Sequence, residues 1–75
     1  MRWRDLIVST PDTLHGAPRF RGTRIPVTVV LDNLAAGVSK EELYENYPSL
    51  PEDAVTAALE YAAELARDRI VPIPH

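Results

Sequence analysis

The sequence predicts an all-α domain of three short helices behind an extended N-terminal arm, and three observations lead there. Apolar residues recur at helical spacing in three separate stretches after residue 26. A capping box opens the second of these stretches, and prolines and glycines break up the segment before the first. The chain has 75 residues, enough for one domain whose core is small for its surface. It has no cysteine, so neither disulfides nor cysteine-held metal can prop up so small a fold. Tight helix packing and self-association are the props that remain, and a homodimer is expected.

Residues 1–26 read as extended pieces and turns, a basic and β-like arm. The run "DLIVS" is apolar and short, and Thr10-Pro11-Asp12 ends it. Gly16 and Pro18 interrupt the next stretch. In "PRFRG" a period of two sets Arg19 and Arg21 on one face and Phe20 on the other. That pattern predicts a buried ring and two guanidinium groups in water. Gly22-Thr23 turns the chain, and Ile25 is held extended by the proline after it.

The first helix opens close to Pro26, whose missing N–H is not needed at a first helical position. Val27, Val30, Leu31 and Leu34 form its apolar stripe, and Gly37 ends it. Ser39 and Glu42 make the capping box of the second helix, flanked by Val38 and Leu43 as a hydrophobic staple. That helix stops at Pro48. The third comes after "YPSLP", capped by Ser49 or opened by Pro51. Its predicted apolar face is Val55, Ala58, Leu59, Ala62, Leu65 and Ala66, with Glu52, Asp53, Thr56, Glu60 and Glu64 opposite. Arg67 and Arg69 suit its negative end, and Pro72 and Pro74 make residues 70–75 an extended tail. The helical body therefore spans 27–69. A short second helix, a turn of about three or four residues and a longer third helix form a helix-turn-helix layout.

Charge is placed unevenly. Residues 1–26 hold five arginines against two aspartates, a net of +3, while residues 27–75 hold three bases against nine acids, a net of −6. Three of the arginines, Arg19, Arg21 and Arg24, fall within ten residues. Guanidinium forks bind phosphate or carboxylate, so these three, with Thr23 between them, are the candidate DNA contacts. The competing reading ties Arg21 or Arg24 to the protein's own acids, such as Asp32 or Glu45. The third helix is a poor groove reader, because its outer acids would meet DNA carrying a charge every 1.7 Å or so. Trp3 in "RWR" suits packing or a partner contact better than base stacking.

Catalysis has little to stand on. His15 and His75 are the only histidines and neither has a partner nearby in sequence. "GAPRFRG" lacks the spacing and the lysine of a phosphate-cradling loop. No enzyme, cofactor or metal is expected. Neither an apolar signal segment nor a membrane-length apolar run occurs, so a cytoplasmic protein is expected.

"RGTRIPV" at residues 21–27, followed by "LAAGVSKEELYENYPSL" at 34–50, resembles a bacterial family known as domain of unknown function four hundred and thirty-three, regarded as antitoxin-like. The likeness runs from about Ile7 to Ala66. Gly16, Pro18, Arg21, Gly22, Thr23, Arg24, Ile25, Pro26 and Val27 match the family's pattern. His15 and Ala17 depart from its usual Gly and Lys, Pro51 stands where a Ser or Thr cap is common, and Thr56 where a base is frequent. The resemblance implies a homeodomain-like three-helix bundle. It also implies the antitoxin of a type II pair, neutralising a PIN-like ribonuclease toxin and repressing its own operon by binding operator DNA. Such nucleases hold metal in a carboxylate cluster, so an inhibitor gains by offering cations. The partner-binding candidates are then Trp3, Arg67, Arg69, Ile70, Val71 and Ile73. Two other readings keep the same fold: a dimeric protein-interaction module that binds no nucleic acid, and a transcription factor without a toxin.

Overall fold

Ile7 and Phe20 face one another across a two-stranded antiparallel sheet, in which β1 (Ile7–Val8) pairs with β2 (Arg19–Phe20). The computed structural model describes residues 3–68 and 73. Beyond the sheet come α1 (Val27–Ala35), α2 (Lys40–Asn46) and α3 (Ala54–Asp68). The fold is therefore mixed α/β, and the all-α expectation is corrected. Three α-helices are present among the described residues, but the arm is a paired sheet and not a free extended strand. The physical reason is backbone satisfaction. Ile7 is 7% exposed and Phe20 wholly buried, so the peptide groups beside them need partners away from water.

The second strand also bends back on itself. The Phe20 amide donates to the Ile25 carbonyl at 3.1 Å, the Val27 amide to the Pro18 carbonyl at 3.0 Å, and Arg19 bridges to Pro26. A hairpin thus runs from Pro18 to Val27 and feeds directly into α1.

The core joins sheet to helices. Phe20, Val27, Val30 and Leu43 are its largest fully buried side chains, with Ile7, Leu50, Ala54, Ala57 and Ala58 around them. Local signals decide α2. The Ser39 hydroxyl accepts from the Glu42 amide at 3.1 Å, and Gly37, with φ of +87°, makes the left-handed step that releases the chain from α1. Between α2 and α3 the connection covers residues 47–53, longer than the expected turn. Tyr44 holds it: its hydroxyl lies 2.9 Å from the Pro51 carbonyl and 2.7 Å from that of Glu52. Neither Ser49 nor Pro51 begins α3; the first helical turn closes on the Asp53 carbonyl, which accepts from the Ala57 amide at 2.9 Å.

α3 presents a different face from the one its pattern predicts. Ala54, Ala57 and Ala58 are buried and Tyr61 packs on the core, whereas Leu59 is 52% and Leu65 40% exposed. The alanines win the inner face because small side chains let α3 approach its neighbours closely. Tyr61 then meets Trp3 edge to face, ring centroids 4.9 Å apart. That contact comes from the N-terminal 3-10 turn, Trp3–Asp5, which lies against α3. Among the described residues no helix is long and apolar enough to cross a membrane.

Candidate functional site

The arginine cluster sits on the hairpin, and the tip of that hairpin is tightly built. Gly22 takes a φ of +79°, and the Thr23 amide donates to the Phe20 carbonyl at 3.0 Å. The Thr23 hydroxyl donates to the same carbonyl at 2.9 Å and accepts from the Ile25 amide at 3.1 Å. One side chain thereby clamps both limbs of the turn. Its oxygen is engaged on each side, which leaves little of it for an outside partner.

The three arginines have separate fates. Arg19 is half-buried and folds back over the turn, donating from Nη1 to the Thr23 carbonyl at 3.1 Å, with a longer 3.4 Å contact from Nη2 to the Thr10 hydroxyl. Its Nε is buried and unpaired. The expectation that Arg19 stands in water beside Arg21 is therefore corrected, because the hairpin curls its own carbonyls within reach. Arg21 is exposed; its Nε donates to the Asp5 carbonyl at 3.1 Å, which fixes the plane of the guanidinium while its two terminal nitrogens keep donors to spare. Arg24 is exposed and makes no hydrogen bond or ion pair among the described residues. The tie to Asp32 or Glu45 does not form.

Among the described residues, the ion pair present is Arg4 to Glu64, 3.2 Å. Arg4 also lies 4.4 Å over the Trp3 ring. Trp3 is thus engaged within its own chain, between Tyr61 and Arg4. No local signal could have found this cluster, because its members come from opposite ends of the sequence. Arg67 is exposed in the last turn of α3 and Ile73 is 80% exposed. Arg69, Ile70 and Val71 lie outside the described residues. Glu52 and Asp53 are exposed in the turn before α3 and Thr56 is exposed on it, while Glu60 and Glu64 are half-buried, so the acidic face of the helix is smaller than the sequence suggests.

Leu14, His15 and Gly16 adopt φ of +52°, +54° and +82° in succession, a left-handed turn in the connection from β1 to β2. Two non-glycine residues there are uncommon, and the glycine alone signals the turn in the sequence. The Ser9 hydroxyl donates to the Gly16 carbonyl and closes the turn. Among the described residues, no group of three potential ligand side chains is placed to hold a metal ion.

Comparison with known proteins gives three findings. The family model described as "Protein of unknown function (DUF433)" matches residues 7–62. A curated relative, "Uncharacterized protein y4eO" of Sinorhizobium fredii (strain NBRC 101917 / NGR234), is 44% identical over 59 residues, covering 79% of this chain and 27% of the relative. The crystal structure of a DUF433 member protein from Anabaena variabilis ATCC 29413 has a TM-score of 0.76 at 32% identity, covering 87% of this chain and 64% of that one. The chain thus spans about a quarter of the curated relative and under two thirds of the solved chain.

Proposed function

The chain belongs to the DUF433 family, and from that premise we propose that it is the antitoxin of a type II toxin–antitoxin pair, binding a PIN-like ribonuclease directly and repressing its own operon through DNA. The observation that carries this reading is the pair of exposed guanidinium groups, Arg21 and Arg24, on one clamped hairpin of a chain whose net charge is −3. A stiff support lowers the entropy lost when they engage a phosphate or carboxylate. The role falls to the hairpin and not to α3, because the turn that leads into α3 shows Glu52 and Asp53 to solvent. The same exposed acids favour a second reading, a protein-interaction module that leaves nucleic acid alone.

Electrophoretic shift with the DNA upstream of the gene, with and without the product of the neighbouring gene, separates the two. In the first reading a shift appears and is sharpened by the neighbour's product. Replacing Arg21 and Arg24 together by alanine then flattens the dependence of log affinity on log salt by about 1.8 per bound subunit, at about 0.9 per phosphate released. An unaltered slope and affinity removes the DNA role. Failure of the chain to restore growth when co-expressed with the neighbour's product removes the antitoxin role.

A further inference from the structure

α3 carries two apolar stripes, and the fold uses one of them. Ala54, Ala57, Ala58 and Tyr61 face the core. The other stripe is Val55, Leu59, Ala62 and Ala66, spaced by four, three and four residues, the repeat of a helix–helix seam. It lies about 100° around the helix from the first. Leu59 is 52% exposed, Ala66 and the adjoining Ala63 are exposed, and Val55 and Ala62 are half-buried at the border of the core. No charged residue interrupts it.

We infer that this stripe is the interface of a homodimer in which two copies of α3 cross antiparallel, about a two-fold axis between Glu60 and Tyr61. Side-chain size selects a second copy in that orientation. The large members of the stripe lie in its N-terminal half and the small ones in its C-terminal half. Antiparallel apposition seats Val55 on the partner's Ala66 and Leu59 on the partner's Ala62, so each knob meets a hollow. A parallel pair would set leucine on leucine and leave alanine facing alanine. Because the match is self-complementary, the contact closes as a two-fold dimer and does not propagate.

The helix ends favour the same arrangement. Exposed Glu52 and Asp53 precede the N-terminus of α3, and its last turn holds exposed Arg67 beside exposed Asp68, which offset one another. Antiparallel crossing keeps the two acidic N-terminal ends apart, where a parallel pair would stack them, and opposes the two helix dipoles. The seam from Val55 to Ala66 is about 17 Å long at 1.5 Å per residue. One helix pair of that length lies at or below the small end of specific interfaces, about 1,200 Å². The dimer is accordingly expected to dissociate in the micromolar range. It forms whether or not the hairpin binds DNA.

Sedimentation equilibrium from about 1 μM to about 1 mM tests it, with a monomer–dimer equilibrium expected inside that window. Leu59→Glu puts a carboxylate at the centre of the seam from an already exposed position, so circular dichroism is unchanged while the dissociation constant rises more than about tenfold. Should that variant fail to fold, Leu59→Ala carries the same test. The chain has no cysteine of its own, so Val55→Cys and Ala66→Cys can be mixed and oxidised cleanly. A mixed disulfide in excess over either self-crosslink supports antiparallel pairing, and predominance of the self-crosslinks overturns it. A monomer throughout the window, or a dimer indifferent to Leu59, overturns the interface. So does a monomer whose Leu59→Glu variant loses the neighbouring gene's product, since the stripe would then serve that protein.

Discussion

Thr23→Val removes one hydroxyl and almost nothing else, and the geometry of the hairpin sets what that should cost. The Phe20 carbonyl loses the hydroxyl donor at 2.9 Å but keeps the Thr23 amide at 3.0 Å, so its share of the loss is small. The Ile25 amide loses its acceptor at 3.1 Å, and valine offers none in return. Thr23 and Ile25 are half-buried, so water replaces the lost bond only in part. An unpaired donor in that setting costs about 1–2 kcal/mol. For a domain of this size each kcal/mol moves the melting temperature by about 4–8 °C, so a thermal melt followed by circular dichroism should drop by about 5–15 °C. Thr23→Ser retains both bonds and should recover most of the difference. A valine variant that melts within about 2 °C of the parent, or a serine variant that falls as far as valine, refutes the clamp. A DNA contact by Thr23 predicts the opposite pattern, with affinity reduced and the melt unmoved.

Two other substitutions probe the supports of the helices. Ser39→Ala deletes the acceptor that pairs with the Glu42 amide and should cost about 1 kcal/mol, seen as a lower melt; an unchanged melt means the cap is idle. Tyr44→Phe keeps the ring and removes the hydroxyl that reaches the Pro51 and Glu52 carbonyls. A loss of about 0.5–1.5 kcal/mol is expected in the same assay, and a variant as stable as the parent would show that the connection before α3 needs no tether.

Legibility in the sequence was local. Ser39 and Glu42 lie three residues apart, so the cap could be read without knowing the fold, and so could the left-handed step at Gly37. Alternation correctly buried Phe20. The β1–β2 pair could not be read, because each strand is two residues long and the register Ile7 to Phe20 is set by a core assembled from all three helices. α3 failed for a different reason. Its alanines satisfy two stripes at once, and hydrophobic period alone does not say which faces inward. The choice is made by how closely α3 approaches its neighbours, and the contact of Trp3 with Tyr61 that goes with it joins distant parts of the chain. At the candidate site the grouping of arginines was visible and their division was not. Alternation places Arg19 and Arg21 on one face and cannot register that the turn brings a carbonyl back to only one of them.

That division bears on why three cations cluster in an acidic chain. Arg19 spans two acceptors from different segments, the Thr23 carbonyl beyond the turn and the Thr10 hydroxyl before the strand. A guanidinium fork reaches both at once; a lysine ammonium on a flexible stem lacks that geometry. Arg19 therefore works with the Thr23 clamp to stiffen the hairpin, and the Asp5 carbonyl holds Arg21 by its Nε. The consequence falls on Arg24, at the tip and without a partner among the described residues, and on the free terminal nitrogens of Arg21. The Arg21 donors are held in place by the Nε bond before any anion arrives, so less freedom is lost when one does. Arg19 shapes the arm that carries the other two; under the proposed function, binding at the tip should weaken when the Thr23 clamp is removed even though neither Arg21 nor Arg24 has changed.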